Sequence, residues 1–106
     1  MSNPIELIKK FSKHLRFSQH AKDEMLYEEF GEIYGADIKE ALTNCELLEE
    51  YSGDRPYPSY LVFGKTNNGR PLHIVCAPLI EDKKLVIITV YQPNPEFWID
   101  FRRRKS

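Results

Sequence analysis

Apolar residues recur at helical spacing at the start of the chain. An Asn-Pro start followed by Ile5, Ile8 and Phe11, three residues apart, predicts a helix over residues 4–13. Residues 15–18 alternate between apolar and polar side chains, which allows a short strand after it.

Two more helices are predicted before residue 46. Ser18 is a favourable N-cap for the first of them, which carries Ala21 and Met25 and is expected to end at Gly31. The other begins near Ala36 or Asp37, with apolar residues recurring on one side. Those residues are Ile38, Ala41, Leu42 and Cys45.

From Glu46 onwards the pattern becomes extended. Residues 59–65, 72–77 and 84–91 are rich in Val, Ile, Tyr and Phe and are bounded by turn residues, which predicts three strands. A short helix is expected around Phe97. The chain is therefore predicted to be an α+β domain, with helices on one face of a mostly antiparallel sheet of about four strands.

The Asn68-Gly69 pair predicts a two-residue hairpin turn and with it a register. Gly64 then lies opposite His73 and leaves space above the histidine ring. In the preferred register of the last strand, Thr89 lies beside His73. The helix-facing side is predicted to carry Leu61, Phe63, Leu72, Ile74, Cys76, Val86, Ile88 and Val90.

Composition narrows the class of protein. The 106 residues, 42% of them hydrophobic, suit one domain over residues 1–106. The longest uncharged apolar stretch, residues 85–91, is too short to cross a bilayer, and lysines interrupt the N-terminal region, so a cytoplasmic location is expected. Cys45 and Cys76 lack metal-site or disulfide spacing and are predicted to be reduced core residues.

Charge is unevenly distributed although the net charge is only -1. Residues 22–50 contain two basic and ten acidic side chains, whereas residues 51–106 contain nine basic and five acidic ones. The acidic block is either a solvated surface or a docking face for a basic partner. The basic run of residues 102–105 is typical of phosphate contacts and also of solubilising tails.

A series of short motifs resembles an uncharacterised bacterial domain family related to RelE-like and MqsR-like toxins. The motifs are Phe17-Ser18-Gln19-His20-Ala21, the segment Tyr51–Pro58, Leu61-Val62-Phe63-Gly64, Gly69-Arg70-Pro71-Leu72-His73-Ile74-Val75 and Ile87-Ile88-Thr89-Val90-Tyr91. The resemblance covers residues 15–104, after an extra N-terminal helix at residues 4–14. It implies a RelE-like fold of the barnase, EndoU, colicin and RelE ribonuclease group, and pairing with an antitoxin protein.

Metal-free RNA cleavage needs a base, an acid and positive charge near the phosphorus. His73 is the first candidate for proton transfer, with Tyr91 and Thr89 on the same face of the sheet. His20, near a helix start, is a further candidate, although a structural hydrogen bond that ties the helix start to the sheet is slightly favoured. Candidate RNA-binding residues are Arg55, Arg102, Arg103 and Arg104. For Arg55 an ion pair with a neighbour is the alternative.

The leading hypothesis is a toxin-like domain that binds RNA or cleaves it without a metal. No cofactor or metal is expected, because the three histidines and two cysteines lack metal-site spacing. The alternative is a non-catalytic interaction module of the same fold, in which residues 22–50 bind a protein.

Overall fold

The structure is a computed structural model that describes residues 3–106. It contains helices α1 to α3 and strands β1 to β7 in mixed order. Along the chain these are α1 (Pro4–Phe11), β1 (Leu15–Phe17), α2 (Gln19–Tyr27), α3 (Gly35–Thr43), β2 (Glu46–Tyr51), β3 (Ser59–Lys65), β4 (Pro71–Leu79), β5 (Lys84–Tyr91), β6 (Trp98–Ile99) and β7 (Arg103–Arg104).

Within residues 3–106 the main sheet has five strands, in the order β1-β5-β4-β3-β2. The predicted α+β class is confirmed, and the predicted count of about four strands is too low. The strands pair antiparallel except for β1 and β5, which are parallel. Strand β1 is only three residues long and pairs with β5, which is the strand of the main sheet furthest from it in sequence. Strands β6 and β7 form a separate hairpin, which we call the C-terminal hairpin.

The starts of the first two helices follow from their capping residues. The Asn3 side chain accepts a hydrogen bond from the Ile5 backbone N–H at 2.8 Å. The Ser18 Oγ accepts one from Ala21 N–H at 3.0 Å and donates one to the Ile88 carbonyl oxygen at 2.9 Å, which ties α2 to the sheet. Both predicted starts are therefore confirmed.

The three helices pack on one face of the sheet, which we call the helix face. Its core residues from the helices and strands are almost inaccessible, as expected for the main hydrophobic cluster. They include Ile8, Phe11, Ala21, Ile38, Ala41, Leu42, Val62, Leu72, Ile74, Cys76, Leu85, Ile87 and Val90. Cys45 and Cys76 are both free and buried, which confirms the prediction for the cysteines.

The predicted register of the β3–β4 hairpin is wrong by one residue. Phe63, and not Gly64, lies opposite His73. The loop has three residues, because Thr66 N–H bonds to the Arg70 carbonyl oxygen at 2.9 Å, and Gly69 adopts a φ of 88°. A three-residue loop ending in a left-handed glycine is the next most common hairpin after the two-residue turn. The extra residue turns Leu61 and Phe63 away from the helices.

Gly64 has the opposite environment to the predicted one. A Cβ built on Gly64 would lie 1.9 Å from the Ala41 carbonyl oxygen. Helix α3 therefore contacts the β3 backbone directly at this glycine, and the space predicted above His73 does not exist there.

The predicted orientation of β5 is right at Val90 and wrong at Val86 and Ile88. Ile74 pairs with Val90 and Val75 with Thr89, but Cys76 pairs with Ile87. This bulge inserts one extra residue into β5, so the side chains of β5 before the bulge point to the opposite face from the one predicted. Val86 and Ile88 are consequently half-buried and lie on the face away from the helices.

The C-terminal hairpin covers part of the second face. Trp98 begins β6, so the helix predicted around Phe97 and Trp98 is wrong. The chain reverses at Asp100 and Phe101, whose φ angles are 53° and 60°. Two consecutive positive φ angles form a tight turn, but neither residue is the glycine or asparagine that would predict such a turn from the sequence.

Candidate functional site

The second face of the sheet, which we call the outer face, collects the candidate chemistry. Its β4 residues His73, Val75 and Ala77 alternate with the helix-facing Ile74 and Cys76. The prediction that His73 and Tyr91 share a face is confirmed, since these two residues pair directly. Thr89 is on the same face but lies beside Val75, so its predicted place beside His73 is wrong.

His73 links Tyr91 to the C-terminal hairpin. Its Nε2 lies 2.5 Å from the Phe101 carbonyl oxygen and its Nδ1 lies 3.0 Å from the Tyr91 hydroxyl. A carbonyl only accepts hydrogen bonds, so Nε2 carries the proton and donates it. Nδ1 of the neutral ring then accepts a hydrogen bond from the Tyr91 O–H. The Tyr91 oxygen is thus fixed in position by a buried imidazole.

Aromatic rings seal the histidine completely. Trp98 meets His73 edge-on at a centroid distance of 4.4 Å, and the Phe63 ring is 5.9 Å away. His73 has no accessible surface. This burial lowers the pKa of the His73 imidazole, because a charged ring would lose its hydration.

A second pair of polar side chains comes from β2. The Tyr51 hydroxyl donates a hydrogen bond to Glu49 Oε2 at 2.5 Å. Burial, together with the Glu49 carboxylate, raises the pKa of Tyr51 to about 12. Burial also raises the pKa of Tyr91 above its usual value. Both phenols therefore keep their protons near neutral pH.

Arg104 completes this group of residues. Its positive charge lowers the pKa of both Tyr51 and Tyr91, whereas the negative charge of the Glu49 carboxylate raises the pKa of both. Strand pairing places Glu49 opposite Leu61, and Leu61 opposite Val75, on the outer face. Arg104 lies over Trp98, which packs on His73 next to Tyr91 on the same face. We call Glu49, Tyr51, Tyr91 and Arg104 the phenol cluster. The Arg104 guanidinium lies over the Trp98 ring at 5.0 Å, which holds it at this position.

Sequence reasoning missed Glu49 and Tyr51. Glu49 and Tyr51 are two residues apart in an extended stretch, so the sequence indicates that they share one face of a strand. The sequence does not indicate that β2 pairs with β3, which brings Glu49 opposite Leu61 on the outer face.

The other predicted site residues are dispersed. His20 lies on α2, with its Nε2 3.3 Å from Glu24 Oε1, and α2 packs on the helix face away from His73. Arg102 donates hydrogen bonds to both Glu46 carboxylate oxygens, at 3.0 and 2.7 Å, and stacks on Phe63. Its guanidinium is therefore occupied within the protein.

Arg55 and Arg103 are exposed. Arg55 lines a cleft of about 400 Å³ on the outer face, together with Arg16 and Tyr57. Arg103 pairs through its backbone with Ile99 in the C-terminal hairpin.

Within residues 3–106, no three His, Cys, Asp or Glu side chains come together as a metal site. No described helix has both the length and the apolar content needed to span a bilayer.

Comparison with known proteins identifies the family. Residues 17–92 match the model of a family described as a domain of unknown function, DUF4258. The chain belongs to the DUF4258 family. No curated protein and no solved structure matches the chain. The predicted resemblance to an uncharacterised domain family is thereby confirmed, whereas its relation to RelE-like and MqsR-like toxins stays a prediction.

The DUF4258 match contains most of the candidate site. Glu49, Tyr51, His73 and Tyr91 all fall within residues 17–92. Helix α1 and the C-terminal hairpin, which supplies Arg104, lie outside the DUF4258 match.

Proposed function

We propose that the protein binds single-stranded RNA on its outer face and cleaves it without a metal ion. The observation that carries this proposal is the phenol cluster, which combines a carboxylate, two protonated phenols and a guanidinium on one side of the sheet. These are the groups that transfer of a phosphoryl group within RNA requires.

The roles follow from the chemistry of each side chain. The Glu49 carboxylate takes the proton from the 2′-hydroxyl, whose oxygen attacks the adjacent phosphorus. The bond from phosphorus to the 5′-oxygen breaks, and the Tyr91 phenol gives its proton to that oxygen. Arg104 stabilises the negative charge of the phosphorane. The products are a 2′,3′-cyclic phosphate and a 5′-hydroxyl, and solvent returns the proton from Glu49 to Tyr91.

His73 acts as a positioning residue in this scheme. Its ring is inaccessible and both nitrogens are engaged, so it holds the Tyr91 oxygen without touching RNA. The hydroxyl hydrogen of Tyr91 rotates about the C–O bond and can turn from Nδ1 towards a leaving oxygen.

The test is incubation of single-stranded RNA with purified protein in excess EDTA. We expect cleavage that leaves 2′,3′-cyclic phosphate ends, and a loss of roughly a hundredfold or more in Glu49→Gln and Tyr91→Phe. Glu50→Gln is the matched control, since Glu50 is the neighbouring strand residue and points to the other face. Intact RNA at high concentrations of folded wild-type protein would refute the catalytic proposal.

A second candidate function, binding of a basic protein partner such as an antitoxin, is favoured by the segment from α2 to α3. Leu26, Tyr27, Phe30 and Tyr34 are exposed there, within the acidic block. The loop that presents them is held by Arg70, which donates to the carbonyl oxygens of Gly31 and Glu32. Large exposed apolar side chains on a fixed loop are typical of interaction surfaces.

This candidate predicts a different experimental result. A stable complex with a basic protein that is lost in a Tyr27→Ser, Phe30→Ser variant, combined with no RNA binding by the wild type, would support it. RNA binding with no effect of those substitutions would contradict it.

A further inference from the structure

The cleft on the outer face lies between the loop of residues 52–58 and strands β1, β4 and β5. Arg16 pairs with Val86, and Val86 pairs with Ala77, so these three residues form one row across the sheet. The row fixes Arg16 beside an apolar floor. That floor also includes Phe17, Leu79 and Ile88.

Two guanidinium groups give the cleft its charge. Arg16 and Arg55 both line it and both are exposed. Neither takes part in a salt bridge within residues 3–106, in contrast to Arg102. Asp54 is the acidic residue of the lining, and its Oδ2 accepts a hydrogen bond from the Ser59 hydroxyl at 2.5 Å. The planar fork of arginine matches a phosphate group well.

Tyr57 supplies an aromatic surface at the same place. It is 47% exposed although it lines a largely apolar cleft. Prolines on both sides of Tyr57 restrict the backbone of the loop. Proteins that bind single-stranded RNA stack unpaired bases on exposed aromatic rings of this kind.

We propose that this cleft binds one nucleotide of single-stranded RNA, with its base against Tyr57 and its phosphate between Arg16 and Arg55. This inference rests on the proposed function and adds a substrate subsite to it. The loop of the cleft begins directly after Tyr51 of the phenol cluster, and Asp54 N–H bonds to the Tyr51 carbonyl oxygen at 3.1 Å. A nucleotide held there would flank the bond that is cleaved.

The direct test uses mononucleotides and does not depend on cleavage. Uridine monophosphate is titrated into isotope-labelled protein, and the amide shifts of the cleft residues are followed by NMR. We expect saturable shifts at Arg16, Ala77 and Ile88. Uridine, without phosphate, and ribose 5-phosphate, without a base, should each bind at least about tenfold more weakly, since each loses one of the two contacts. Equal binding of ribose 5-phosphate, or shifts confined to other surfaces, would overturn the subsite.

Variants connect the cleft to the reaction. Tyr57→Ala should raise the KM for an oligonucleotide about tenfold with little change in kcat, and Tyr57→Phe should restore it because the ring remains. Arg16→Gln should also raise KM, whereas Lys22→Gln, the same charge change on exposed α2, should not. Unchanged KM in Tyr57→Ala and Arg16→Gln would overturn the subsite while leaving cleavage intact. Nucleotide binding in the cleft of a protein that never cleaves RNA would keep the subsite and refute the nuclease proposal.

Discussion

Replacing Gly64 by alanine should destabilise the protein severely. The added Cβ would lie 1.9 Å from the Ala41 carbonyl oxygen and 2.7 Å from its carbon. Both are backbone atoms of α3, so no side chain can move aside, and the helix must shift by more than an ångström. Overpacking of a core costs about 1–3 kcal/mol, and a shift of α3 also loosens the packing of Ile38 and Leu42. We expect a loss of about 3 kcal/mol from a total of roughly 5–15 kcal/mol.

Urea unfolding measures this loss, and Gly53→Ala is the matched control. No atom of residues 3–106 lies within 4 Å of a Cβ at Gly53, so that variant should be as stable as the wild type or slightly more stable. Equal midpoints for the two variants would refute the reasoning. They would mean that Gly64 faces away from α3. That orientation belongs to a two-residue hairpin turn at Asn68-Gly69.

Three further predictions concern charge. The pKa of His73 is lowered in the folded protein, so just below pH 6.5 only the unfolded chain takes up a proton at this residue. The free energy of unfolding should therefore fall as the pH drops below that value. The urea midpoint of His73→Gln should lack this part of the pH dependence. In an ultraviolet titration at pH 11, Tyr51→Phe should have one protonated phenol fewer than the wild type, because the pKa of Tyr51 is about 12. RNA affinity measured by anisotropy should fall with salt by a log-log slope of about -0.7 per phosphate contact, and Arg104→Gln should flatten it by about one contact whereas Arg102→Gln should not. A wild-type slope near zero would contradict the RNA proposal.

Features that depend on neighbouring residues could be predicted from the sequence. The starts of α1 and α2 follow from Asn3 and Ser18, whose side chains cap the backbone within three residues. The burial of Ile74 and Cys76 follows from strand alternation alone. Leu61 and Phe63 are also buried as predicted, but on the outer face and not under the helices. Phe63 packs against Phe101 of the C-terminal hairpin.

Features that depend on distant residues could not be predicted in the same way. Asn68-Gly69 is compatible with loops of two or three residues, and the packing of Gly64 on α3 is what selects the longer one. Phe101 adopts a positive φ without being glycine or asparagine, so no local signal marks the turn of the C-terminal hairpin. That turn is held by the bond from His73 to the Phe101 carbonyl oxygen.

The C-terminal hairpin therefore decides how function can be tested. It buries His73 and also carries Arg104, so the stability of this region and the charge of the phenol cluster depend on the same contacts. Truncating His73 to alanine would leave the Phe101 carbonyl and the Tyr91 hydroxyl without their partner, and a loss of activity would then report misfolding as readily as chemistry. Tyr91→Phe keeps the ring against His73 and leaves one buried acceptor, His73 Nδ1, without its partner. Loss of cleavage in that variant, measured at a urea concentration of zero where the variant is still folded, would assign the proton transfer to the phenol and leave His73 as the group that positions it.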